Sequence, residues 1–216
     1  TIEEWVRLHI AEGATQIVVL AGGLDTLALR LAPELPQTRF IEVDHPATQQ
    51  IKRRYLESRS AELPEIGLIA ADLARSPVER ALLDSAVYSP AAVTCFVAEG
   101  LLMYLSEDDV AAIFRFVKQH SAPRSRIVFT YLERRDDGSA GFAERSPLLD
   151  GCMNFWLRIK GEPFVWGVRS SDLPELLGRF GLELTRAATP LELNERYLEG
   201  LPVRAGYGDW IAEGEA

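Results

Sequence analysis

Cysteine is nearly absent. The 216-residue chain has two, Cys95 and Cys152, too few for a disulfide framework, and Cys95 sits in an apolar run where it reads as a small core residue. Histidine is scarce as well: His9, His45 and His120 show no metal-ligand spacing, so no metal site is expected. Basic residues are outnumbered, 23 against 32 acidic ones, and the net charge of -9 argues against nucleic acid or any other polyanion as partner. No apolar run approaches the ~18–20 residues of a transmembrane helix. No signal peptide is visible, so the cytoplasm is the expected compartment. A Gly-x-Ser-x-Gly elbow and a Ser/His/Asp set are both missing, which argues against a hydrolase. Also missing are internal repeats, low-complexity tracts and an interdomain linker. With 47% hydrophobic and 25% charged residues, the chain reads as one α/β domain over residues 1–216.

What is present begins with a strand, a glycine turn and a helix. The apolar run Gln16 to Leu20 ends in Ala21, Gly22 and Gly23, and Leu24, Leu27, Ala28 and Leu31 follow at helical spacing until Pro33 and Pro36. A second run from Arg39 to Val43 ends in Asp44, followed by His45 and Pro46. Strand, tight turn, helix, strand, acid is half of a nucleoside-binding domain. A side chain in the turn would block a ligand's approach to the backbone, and a carboxylate ending the second strand suits the two hydroxyls of a ribose. The dinucleotide pattern G-x-G-x-x-G falls here on Ala21, Gly23 and Thr26. Only its middle glycine survives, so a mononucleoside fits better than a pyrophosphate.

The rhythm continues. Ala47, Ile51 and Tyr55 lie four apart in the next helix, strands are expected at 67–71, 92–98 and 126–132, and helices open near Ser76 and Ser106. Residues 133–161 break the pattern and read as a lid-like insertion. A helix near 171–180, a strand at 182–187 and a last strand within 197–211 complete a doubly wound sheet. Acids close four strands: Asp25, Asp44, Asp72 and Glu99. Ligands in such sheets bind beyond the carboxyl ends of the strands. For Asp25 a helix cap is the favoured reading, and for Asp72 cap and contact are even. Asp44 has the spacing of a ribose contact, and Gly100 leaves room beside Glu99.

These residues resemble a family. Leu20–Thr26, Glu42–Pro46, Asp72–Leu73 and above all Glu99–Leu105 are similar to the leucine carboxyl methyltransferase-like proteins, which are S-adenosylmethionine (SAM)-dependent O-methyltransferases. Residues 161–167 and 195–197 resemble that family's later segments. The resemblance implies a Rossmann-like class I methyltransferase sheet, seven strands and mostly parallel, with SAM as cofactor. It implies that Ala21, Gly22 and Gly23 pack against the methionine and ribose parts of SAM. Asp44 would take the ribose hydroxyls, with His45 beside it. Asp72 and Leu73 would hold the adenine, and Glu99 would face the methionine amino group. Ala21 stands where the family has glycine, a change suited to a negative φ. An arginine gripping the SAM carboxylate comes from an N-terminal segment in the family; Arg7 is the nearest here, and an exposed helix charge is its plainer reading.

Tyr104, Phe155 and Trp156, with Phe164 and Trp166, are candidates for the wall of a small-molecule acceptor pocket, against the plainer reading of aromatic core. No histidine is marked as a base. That favours a carboxylate acceptor, ionised at neutral pH, over a hydroxyl that needs deprotonation, and a polyketide-like acid fits the family's bacterial branch. Two other readings stand beside this one. A nicotinamide-dependent oxidoreductase shares the layout but wants the unmet glycine pattern and a Tyr-x-x-x-Lys pair, which is missing. A non-catalytic SAM-binding descendant is the other.

Overall fold

The computed structural model describes residues 1–59, 65–134, 140–141, 163–200 and 210–216. Most of the lid-like stretch, with Phe155 and Trp156, lies outside the described residues, as does Cys152.

The apolar runs become strands. Gln16–Leu20 (β1) and Thr94–Ala98 (β4) are buried along their whole length, as strands covered on both faces must be. Arg39–Asp44 (β2), Gly67–Ala70 (β3) and Arg126–Tyr131 (β5) pair with them in parallel. A two-residue pair, Glu133–Arg134 (β6) with Ala140–Gly141 (β7), stands apart from the main sheet. Glu183–Ala188 (β8) and Trp210–Glu215 (β9) finish a seven-stranded sheet in the order β3-β2-β1-β4-β5-β9-β8. β9 slots between β5 and β8 and runs antiparallel to both. The mostly parallel, doubly wound expectation holds, and strand order reverses at β1 and β4.

Helices cover both faces. Ile2–Ala11 (α1) and Leu27–Leu31 (α2) pack with Phe40, Cys95 and Val128 on one side. Val78–Leu83 (α4), Glu107–Gln119 (α5) and Leu173–Gly178 (α6) pack with Val18, Ile41, Phe96 and Phe129 on the other. Pro190–Tyr197 (α7) was not expected. Its start carries a full capping box, with Thr189 Oγ1 accepting from Glu192 N at 3.1 Å and Glu192 Oε2 accepting from Thr189 N at 2.7 Å.

Two expected apolar faces are overturned. Leu24 precedes α2 and is 70% exposed, because the turn uses that position before the helix begins. In Pro46–Ser58 (α3), the predicted stripe of Ala47, Ile51 and Tyr55 faces solvent, and the helix buries Gln49 and Lys52 instead. Their partner on the sheet is Glu42, a buried acid in the middle of β2, so the inward face of α3 is polar by necessity.

At the amino end of the sheet, α1 is tied to the last strand. Buried His9 lies 2.9 Å from buried Glu213, and Arg126 bridges Glu12 at 2.8 Å and Glu215 at 2.5 Å. Burial alone would push the Glu213 carboxyl up, but hydrogen bonds from His9 and Thr185 outweigh it and hold the carboxyl below its ordinary value.

Candidate functional site

The four acids do stand together. β3, β2, β1 and β4 are neighbours in that order, so Asp72, Asp44, Asp25 and Glu99 line the carboxyl edge on both sides of the strand-order reversal. Their local roles differ. Asp25 Oδ1 accepts from Thr26 N at 2.6 Å and Leu27 N at 3.1 Å, which ties it to the start of α2, where Thr26 holds the cap position. Asp72 Oδ1 accepts from Ala74 N at 3.1 Å, and its other oxygen faces Arg75 at 3.5 Å and His45 Nε2 at 4.0 Å. Leu73 is half-buried against the core.

Asp44 is the exception. Its Oδ1 accepts from His45 N at 2.7 Å, while Oδ2 is buried without any partner. A buried carboxylate oxygen with no donor is costly. It faces the glycine turn: a Cβ built on Gly23 would sit 4.0 Å from it. Asp44 thus keeps one unused acceptor beside the glycine turn. His45 is exposed and caps α3 through Nδ1, which accepts from Ala47 N at 3.2 Å.

The turn itself is strained. Ala21 and Gly23 have φ of 54° and 52°, the left-handed region that glycine adopts freely and alanine only at a cost of about 1–2 kcal/mol. The negative φ that would let Ala21 stand in for glycine without strain is thus not met. The conformation is fixed by Ala21 N donating to Val43 O at 2.7 Å and Asp25 N to Gly22 O at 2.7 Å. Gly22 fits because a Cβ there would press on Val19 Cγ1 at 3.3 Å and approach Glu42 Oε2 at 3.6 Å. Beneath the turn lies an ion pair that sequence reasoning missed. Lys52 Nζ donates to Glu42 Oε2 at 2.5 Å and to the Asp25 carbonyl at 2.6 Å. The available signal was an acid inside an apolar strand facing a helix that carries a lysine.

Two clefts lie along this edge of the sheet. One of about 650 Å³ is bounded by His45, Ile69, Asp72 and Arg75 beside β3. The other, about 420 Å³, is bounded by Asp25, Leu27, Arg30, Glu99 and Tyr197. Glu99 is exposed there, and the next turn is held by Gly100 N donating to Thr130 Oγ1 at 2.8 Å. Arg7 is elsewhere, paired with Glu3 at 3.0 Å and Glu34 at 2.7 Å, as its plainer reading had it. Of the aromatics, Tyr104 is 39% exposed and its ring lies 5.5 Å from that of Phe164. Trp166 is buried in the core and borders a small cleft with Glu107, Arg134 and Leu176. Both Val165 N and Trp166 N donate to Met103 O, at 2.8 and 3.2 Å, docking that segment onto the turn after β4. Among the described residues no metal-binding cluster occurs, and no helix is long and apolar enough to cross a membrane.

Comparison with known proteins bears on what this edge holds. The family profile described as leucine carboxyl methyltransferase matches residues 1–118. A Bacillus subtilis protein named as an S-adenosyl-L-methionine-dependent methyltransferase, YktD, is 28% identical over 197 residues, 90% of this chain and 62% of its own length. A similarly named Mycobacterium tuberculosis protein is 41% identical over 116 residues, 53% of this chain and 32% of its own. The chain thus spans less than two thirds of the curated relatives it matches. Among solved structures, magnesium protoporphyrin IX methyltransferase of Synechocystis PCC 6803 with bound SAH superposes with a TM-score of 0.60 at 12% identity, covering 99% of this chain and 79% of that one. At that identity the likeness concerns the fold.

Proposed function

The chain belongs to the leucine carboxyl methyltransferase family, and from that premise we propose that it binds SAM and transfers its methyl group to an oxygen of a small organic acceptor. The observation that carries the reading is the unpartnered, buried Asp44 Oδ2 facing Gly23. A ribose supplies two hydroxyl donors to such an acid. The names of the relatives support the choice of SAM over a nicotinamide cofactor. In this reading the Ala21–Gly23 turn packs against ribose and methionine, and Asp44 takes the ribose hydroxyls. Asp72 and Leu73 hold the adenine with His45 alongside, and Glu99 faces the amino group across the second cleft.

SAM supplies a methyl group that is already electrophilic on its sulfonium. The chain's own task is then to orient the acceptor and exclude water. A carboxylate acceptor suits this best, since it is ionised near neutral pH and needs no base. The pairing of exposed Tyr104 with half-buried Phe164 supports an apolar, polyketide-like body for the acceptor.

Calorimetry with S-adenosylhomocysteine (SAH), SAM and NAD tests the cofactor: SAH and SAM should bind and NAD should not. Labelled SAM with a panel of small acids and phenols tests the acceptor. The expected product is a methyl ester that mild alkali cleaves, formed at a rate nearly flat from about pH 6 to 9. An alkali-stable ether overturns the carboxylate assignment. SAH binding with no transfer to any acceptor overturns the catalytic one.

A further inference from the structure

Lys52 lies in a place that a lysine seldom occupies. It is 5% exposed, on the inward face of α3, and its ammonium is held by a side chain and a backbone carbonyl. The side chain is Glu42, itself 2% exposed. The carbonyl belongs to Asp25, the last residue of the turn that also contains Ala21, Gly22 and Gly23. The ammonium therefore links the middle of β2 to the far end of the glycine turn.

Stability alone does not account for this arrangement. A buried ion pair commonly costs more in lost hydration than it returns, and apolar residues of like volume often replace one without loss. Burial pushes the Glu42 carboxyl above its ordinary value despite the hydrogen bond from Lys52, and the neighbouring Asp25 and Asp44 push it further. What the pair does provide is position. The turn holds Ala21 and Gly23 at positive φ, and Gly22 rests against the Glu42 carboxylate. A backbone in so sparsely populated a conformation persists only when its surroundings over-determine it. The Lys52 bond to the Asp25 carbonyl is one of the fixed points, and the two backbone bonds at Ala21 and Asp25 are the others.

We propose that Lys52 is a positioning residue for the cofactor: clamped between Glu42 and the Asp25 carbonyl, it presets the Ala21–Asp25 turn in its ligand-receiving shape. The inference rests on the reading of the turn as a SAM site. Binding to a preset turn avoids the cost of ordering it, so loosening the turn lowers affinity while leaving the sheet intact.

The test uses the full chain and the double variant Glu42→Gln/Lys52→Met, which leaves no lone buried charge. Its melting temperature is expected to stay within a few degrees of the parent. Its SAH affinity, measured by calorimetry, is expected to fall on the order of tenfold, the size of one lost charge-assisted hydrogen bond. Amide hydrogen exchange should quicken at Ala21 and Asp25 and not at Val18 or Val97 in the sheet, a local signature that a general packing role would not produce. Glu42→Gln alone keeps an acceptor for Lys52 and keeps the bond to the Asp25 carbonyl, so its affinity should stay within about threefold. SAH affinity within twofold in the double variant overturns the proposal. So does an equal loss in Glu42→Gln alone when its melting temperature matches that of the double variant. If the parent chain binds no SAH, the cofactor reading fails instead, and the exchange at Ala21 and Asp25 still decides whether Lys52 holds the turn.

Discussion

Replacing Asp44 by alanine should separate binding from stability. In the ligand-free protein the substitution has two opposed effects. It removes the acceptor for His45 N, a 2.7 Å bond that lies in solvent and is therefore worth only about 0.5–1.5 kcal/mol. It also removes Oδ2, a buried oxygen with no partner, and relieving such a group returns about 1–3 kcal/mol. The balance is a gain of about 1 kcal/mol, or roughly 2–4 °C in melting temperature for a chain of this size. Binding moves the other way. Charge-assisted hydrogen bonds contribute about 1.5–3 kcal/mol, so SAH affinity should drop between about tenfold and somewhat over a hundredfold. Thermal melts of the free protein and calorimetry with SAH read the two quantities independently. Opposite signs support an acid held in reserve for a ligand. A melting temperature and an affinity that fall together would make Asp44 a structural cap, and an unchanged affinity would remove it from the site.

Ala21→Gly should raise the melting temperature by about 1–3 °C, because relief of a left-handed alanine, about 1–2 kcal/mol, exceeds the added chain entropy of glycine; a lower value in a thermal melt would contradict the φ of 54°. The Glu213 carboxyl, held below its ordinary value of 4.5, contributes stability that is present above the unfolded-state value and lost as pH falls through the folded one. Glu213→Gln should therefore be less stable at pH 7 and show a shallower decline on acidification, measured as urea midpoints between about pH 3 and 7.

Legibility of this fold in sequence followed the burial of each element. β1 and β4 are covered on both faces, so they appear as unbroken apolar runs, and the acids after them were placed without difficulty. α5 carries Val110, Ile113, Phe114 and Val117 inward, the positions its periodicity marks. α3 failed the same test. Helical spacing selects a face only if the face is apolar, and this one meets Glu42. Ile51 and Tyr55 made a convincing stripe on the wrong side. The turn after β1 is legible in its two glycines. Its left-handed backbone at Ala21 is not, because an alanine gives no sign of positive φ. The unpaired Asp44 oxygen is a property of three-dimensional surroundings and has no counterpart in a string of residues.

The placing of β9 has a consequence for how the chain is made. Domains emerge from the ribosome amino end first, and the five parallel strands, with the glycine turn and all four acids, are complete by Tyr131. The strand that pairs with β5 arrives only with Trp210–Glu215. Until that strand is made, the edge of β5 from Arg126 to Tyr131 lacks the partner it has in the finished sheet, and an unpaired strand edge is a template for strands of other chains. β8 waits as well, since β9 is its partner in the sheet. The strands that carry the glycine turn and the four acids are thus made before the strand that joins β5 to β8.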